Sequence, residues 1–139
     1  MAASLIVADT NLIVYFLVRG IHTQQAEQVY RRDPLWLAPP LWRSEFCNVL
    51  ALHGRLGTLP GAELYDILNK AERLMAEAQV SSREVLALAL SSKCAAYDCE
   101  FVALAREVGA PLVTSDRLVL SRFPDTAVSP ERFLSTGAR

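Results

Sequence analysis

Short apolar runs that stop at an acid alternate with longer helical patterns along this chain, and the alternation sets the expected fold. Leu5-Ile6-Val7-Ala8 is continuously apolar, as a strand buried on both faces is, and it stops at Asp9. Leu112-Val113-Thr114-Ser115-Asp116 repeats that design. Leu35 to Ala38, bounded by prolines, is a further short strand, and residues 124–128 form a last edge strand.

The helical patterns fill the intervals. Residues 12–18 are apolar all round and close at Gly20, whereas 23–32 are polar and end at Asp33-Pro34. From Leu41 to Leu56 a stripe of Leu41, Trp42, Glu45, Val49 and Leu52 predicts a helix stopped by Gly57. Residues 60–79 predict an amphipathic helix with Leu64, Ile67, Leu68, Ala71, Leu74 and Met75 inside. Ser81-Ser82-Arg83-Glu84 has capping-box character, with Ser81 or Ser82 as the cap and Glu84 three after Ser81, and it opens a helix over 85–90. The next helix carries Asp98, Phe101, Val102, Ala105 and Val108 on its inward stripe, leaves Glu100 and Glu107 to solvent, and ends at Gly109. A helical turn or two over 118–123 and a turn capped at Ser129 follow, and Gly137 to Arg139 are expected to fray.

Strands alternating with helices imply right-handed crossovers. The expected architecture is α/β: one domain over residues 1–139, a three-layer sandwich with a mainly parallel sheet of four to five strands. Sites in such sheets form outside the carboxyl ends of the strands. Asp9 and Asp116 stand at that edge by sequence alone, and Glu45 and Asp98 interrupt inward helix faces near helix starts.

For a single acid at a helix start, capping is the ordinary role. Four acids that share an inward placement are not explained by four separate caps. Carboxylates gathered together raise one another's pKa, so their convergence calls for a cation. Oxygen donors without a nearby His or Cys suit Mg²⁺ or Mn²⁺ rather than Zn²⁺. Such a site lends itself to in-line attack of water on a phosphodiester. His22 and His53 lack ligand spacing and read as surface or packing residues.

Composition adds three constraints. The chain has 139 residues, 52% of them hydrophobic, and its mean hydropathy is +0.21. That richness points to apolar surface covered by another chain, hence a homodimer, with Trp36, Trp42 or neighbouring leucines in or near the covered surface. A net charge of −1 gives no general attraction for nucleic acid or an anionic membrane, so a polyanion must be held by local arginines or by metal ions. Cys47, Cys94 and Cys99, odd in number and without metal-knuckle spacing, read as buried free thiols of a reducing cytoplasm. The start of the chain lacks a basic signal-peptide region, and apolar runs fall short of the roughly 18 residues that span a bilayer.

Four blocks carry a family resemblance: Val7-Ala8-Asp9-Thr10-Asn11, Ser44-Glu45-Phe46-Cys47-Asn48-Val49-Leu50, the stretch from Ala96 through Asp98 to Ala105, and Leu112-Val113-Thr114-Ser115-Asp116. In order and spacing they resemble the acidic blocks of PIN-domain ribonucleases, above all the small VapC-type toxins of prokaryotic toxin–antitoxin pairs. The resemblance implies a PIN-like sheet between helices, Mg²⁺- or Mn²⁺-dependent endoribonuclease activity on RNA, a homodimer and inhibition by a cognate antitoxin. It makes Asp9, Glu45, Asp98 and Asp116 the metal-binding carboxylates, with Thr10, Asn11 and Ser115 as polar neighbours that orient water or a carboxylate. Asn48, one turn after Glu45, is a similar candidate beside plain helix-surface polarity. Arg19 and Arg117 are candidates for phosphate contact, with solvated charge as the competing reading.

Two enzyme classes fit less well. A phosphatase of the haloacid dehalogenase type needs a second Asp where Asn11 stands, and a receiver domain needs a phosphoacceptor Asp that Leu35 to Ala38 does not supply. The alternative of another kind is a PIN-like module that binds RNA or protein without cutting.

Overall fold

The computed structural model describes residues 4–136, so the expected fraying of 137–139 lies outside the described residues. Five strands, β1 (Leu5–Ala8), β2 (Leu35–Ala38), β3 (Met75–Glu77), β4 (Leu112–Val113) and β5 (Ala127–Val128), form one sheet in the order β3-β2-β1-β4-β5. Every pairing is parallel. Ile6, Val7 and Ala8 are all fully buried. Successive strand residues point to opposite faces, so both faces of β1 are covered, as its unbroken apolar run requires.

The covering helices are α1 (Thr10–Leu17), α2 (Thr23–Arg32), α3 (Trp42–Leu56), α4 (Gly61–Leu74), α5 (Ser82–Ser92), α6 (Ala96–Val108), α7 (Arg117–Arg122) and α8 (Pro130–Ser135). Helices α3 and α6 stop where the sequence says, at Gly57 and Gly109, each with a positive φ (71° and 68°) that glycine adopts without steric cost. Ser81 accepts the Glu84 N–H and Ser129 the Arg132 N–H, so both expected caps form.

Four expectations are corrected. The helical pattern through Gln79 breaks at Leu74, and Met75, Ala76 and Glu77 pair with Trp36, Leu37 and Ala38. Strand β3 was hidden because its residues continue the helical spacing; what decides is the open edge of β2, whose backbone groups need partners. On α3 the buried side runs Trp42, Phe46 and Leu50, and Leu52 is 53% exposed. Val108 is also exposed, at 37%. Cys47 lies on the open side of α3, whereas Cys94 and Cys99 are buried as expected.

Both tryptophans belong to the interior of this chain and not to a surface awaiting a partner. Trp36 packs against Phe16 (5.2 Å between ring centroids) and Tyr30 (5.8 Å) and donates to the Asp33 carbonyl at 2.8 Å. Trp42 donates to Glu77 Oε2 at 2.7 Å, tying the start of α3 to the end of β3.

The chain runs from β1 outward to β2 and β3, then returns to lay β4 on the other side of β1. The order reverses between β1 and β4, and a crevice opens there beyond the strand ends.

Candidate active site

Asp9 leaves β1 and Asp116 follows β4 at this reversal, so two strands of the sheet deliver one acid each to the same edge. The Asp9 N–H donates to the Val113 carbonyl at 3.2 Å, extending the β1–β4 pairing to the acid itself. Asp9 caps α1 and Asp116 caps α7, while Glu45 and Asp98 stand in the first turns of α3 and α6. Their cleft, of about 260 Å³, is lined by Asp9, Thr10, Asn11, Glu45, Asn48, Val49, Asp98 and Asp116.

Hydrogen bonds distinguish the four acids. Asp9 accepts the Thr10 N–H on Oδ1 (2.8 Å) and the Thr114 hydroxyl on Oδ2 (2.5 Å). Glu45 Oε1 accepts the Thr10 hydroxyl at 2.6 Å. Asp116 Oδ1 accepts the Val119 N–H at 3.0 Å, in the capping geometry. The cap reading therefore holds in part for Asp9 and Asp116. It fails for Asp98: the cap position of α6 is Ala95, and no hydrogen bond among the described residues reaches the Asp98 carboxylate.

Thr114, fully buried, is the residue that sequence reasoning missed. Its oxygen also accepts the Asp116 N–H at 3.0 Å, so one hydroxyl links the acids of both strands. The sequence reading favours its neighbour Ser115, but Ser115 is exposed and does not line the cleft. Strand alternation held the clue, because a hydroxyl at the end of a buried strand needs a partner. Arg19 lies in a different hollow with Leu59, Glu63 and Lys70, and Arg117 is exposed one residue beyond Asp116.

All four acids of the cleft sit at helix starts, and each start favours a nearby negative charge by roughly 0.3–1 kcal/mol. Burial and repulsion outweigh that help. Burial pushes the Asp9 carboxyl up from 3.8, with Asp116 adding to it against the Thr114 and Thr10 hydrogen bonds. Burial raises Asp98 from the same value, and the charges of Asp116 and Asp9 raise it further. Glu45 is raised from 4.5 by burial, then by Asp9, Asp98 and Glu100, against the Thr10 hydroxyl. Glu100 is partly buried rather than on an open helix face, and its field reaches the cleft.

Raised values in the folded chain fix a sign. The metal-free fold keeps these groups' full contribution below about pH 4 and loses it as pH rises through their folded pKa values. Without metal, Asp98→Asn should therefore gain melting temperature over wild type as pH rises from 4 to 7 in paired thermal scans. A gap that stays flat with pH would contradict the repulsion.

The donor set suits a hard divalent cation: carboxylate oxygens only, mutually repelling, and absent from the ion pairs of the described residues. Those residues contain no ready-made cage of three or more ligands. Mg²⁺ does not need one, since it keeps several waters and takes one or two carboxylates plus substrate phosphates. A larger hollow of about 730 Å³ lies before β4 and β5, away from the acids, and its Asp125 is already paired with Arg106 at 3.3 Å.

Fold and cleft together define an α/β protein with an all-oxygen acidic site at the reversal point of a parallel sheet. The chain belongs to the PIN-domain family, whose model matches residues 6–125. Ribonuclease VapC3 of Pyrobaculum aerophilum is 29% identical over 124 residues, covering 86% of this chain and 95% of that protein. The crystal structure of PAE2754 from Pyrobaculum aerophilum has the same fold, with a TM-score of 0.76 at 23% identity over 98% of this chain and 97% of that one. A chain of a toxin–antitoxin complex from Klebsiella pneumoniae shares it as well, with a TM-score of 0.65 at 17% identity over 92% of this chain and 98% of that one.

Proposed function

We propose that residues 1–139 act as a single nuclease domain, a Mg²⁺- or Mn²⁺-dependent endoribonuclease that is the toxin of a cytoplasmic toxin–antitoxin pair and inhibits translation. The observation that carries this reading is the cleft of Asp9, Glu45, Asp98 and Asp116, four carboxylates without a cationic side chain among their described ion-pair partners. The likeness to ribonuclease VapC3 supplies RNA as the substrate class.

Asp98 and Asp116 line the cleft and would be ligands, Asp116 through the oxygen that its cap leaves free. Asp9 and Glu45 are held as ligands by Thr10 and Thr114, which fix carboxylate rotamers before anything binds. A hard divalent cation bound there supplies an activated water and neutralises charge on the phosphate oxygens. Asn11 and Asn48, exposed at the mouth, can donate to a phosphate or hold a water, and Arg117 can meet the backbone beyond it. Total RNA incubated with purified protein should be cut at defined positions in Mg²⁺ or Mn²⁺, and cleavage should stop in EDTA. Cutting that survives chelation overturns the metal-site reading.

Two partners complete the proposal. Leu86 and Leu90 of α5, Tyr97 of α6 and Leu118 of α7 are exposed apolar side chains, and they suit a homodimer, which sedimentation at micromolar concentration reads directly. The cognate antitoxin would lay a helix on the surface and bring a basic side chain to the acids, matching their negative field. Expression of the chain alone should then arrest growth.

A further inference from the structure

The corner between α5 and α6 is built from polar contacts. Ser92, buried at the end of α5, donates its hydroxyl to the Leu88 carbonyl at 2.6 Å and accepts the Cys94 N–H at 3.0 Å. Lys93 turns the chain with φ at 64°, the left-handed region that a side chain disfavours, so the corner is held and not merely permitted. Ala95 then takes the cap position of α6, and Asp98 follows within the first turn.

Into this corner reaches the last residue of another element. Arg122 ends α7, six residues after Asp116 caps the start of that helix, and its Nη1 donates to the Ser92 carbonyl. The contact places a cation on the C-terminal carbonyls of α5, where the helix dipole favours one. Among the described residues it is the hydrogen bond that joins α7 to the α5–α6 corner. We propose that Arg122 is a positioning residue of the acid cleft: by tying the helix capped by Asp116 to the corner that launches Asp98, it sets the separation of those two carboxylates. Each acid repels the other, and α7 is short, anchored by the buried Val119 and by the buried Phe123 that follows it. A directional tie at the far end of α7 opposes the rotation by which the acids would otherwise spread.

This inference rests on the metal-site reading for its purpose and not for its test. Wild type, Arg122→Met and Arg122→Lys are compared by Mn²⁺ calorimetry, and the first two are each combined with Asp98→Asn in metal-free thermal scans. Arg122→Met should weaken Mn²⁺ binding by about tenfold or more, the range for groups that orient metal ligands. Arg122→Lys, which keeps a charged donor, should recover most of the affinity. Without metal, Asp98→Asn should raise the melting temperature less in the Arg122→Met background, because acids that have already spread have less repulsion to lose. A merely structural arginine lowers the melting temperature equally in both backgrounds and leaves Mn²⁺ affinity unchanged, and either result overturns the proposal. Should wild type bind no Mn²⁺, the nuclease reading fails and the metal-free cycle alone decides the role of Arg122.

Discussion

Asp9→Asn should reduce RNA cleavage by about three orders of magnitude while leaving the fold intact. The expected loss matches that of removing one preorganised electrostatic contact to a transition state, roughly 10²–10³-fold, with the weakened cation adding to it. Asp9 is the residue to change because Thr10, Thr114 and the other three acids all interact with it. Thr114 reaches it from β4, Thr10 from α1, and its charge is felt at Glu45 and Asp98. Asparagine keeps the carbonyl oxygen that accepts the Thr10 N–H, and the Thr114 hydroxyl can reverse to accept from the new amide. The folded state therefore survives while a ligand charge is lost. Initial rates on a defined oligoribonucleotide, with circular dichroism as the control for folding, check this. A folded variant that retains a tenth of wild-type activity would exclude Asp9 from the chemistry.

What could be read in the chain before its structure follows from how each signal is encoded. The runs ending at Asp9 and Asp116 are local: a buried parallel strand must be apolar throughout, and an acid at its end breaks that rule visibly. Asp98 was legible for the same reason on a helix with an inward stripe. Strand β3 was not, because three residues of Met-Ala-Glu carry no period of their own and become a strand only through the edge of β2. Thr114 was passed over for Ser115 because both are small hydroxyls, and which of them turns inward depends on strand alternation carried past the two residues of β4. The stripe drawn through Glu45 puts Leu52 inside and the free-thiol reading puts Cys47 there, yet α3 packs on Trp42, Phe46 and Leu50. The same rotation leaves Glu45 half-buried at the flank of the core, where it can meet Thr10 and line the cleft.

The second large effect is on stability, and it separates a metal site from a set of caps. A cation that binds only the folded chain stabilises it by about 2.7 kcal/mol at a free concentration of 100 times its dissociation constant. For a domain of this size that is a rise of several degrees in melting temperature. Wild type should show this rise in Mn²⁺, and Asp98→Asn should lose most of it. Asp98 is the discriminating position because it makes no described hydrogen bond, so its replacement removes charge without removing a cap. The metal-free variant should melt at or above wild type, since burial and the charges of Asp116 and Asp9 all oppose ionisation at this position. A capping acid behaves in the opposite way: its loss costs roughly 0.5–2 kcal/mol on substitution by alanine, and added Mn²⁺ changes nothing. Thermal scans of the two proteins with and without Mn²⁺ measure both differences together. Equal metal responses would remove Asp98 from the site and leave Asp9, Glu45 and Asp116 as its candidate ligands.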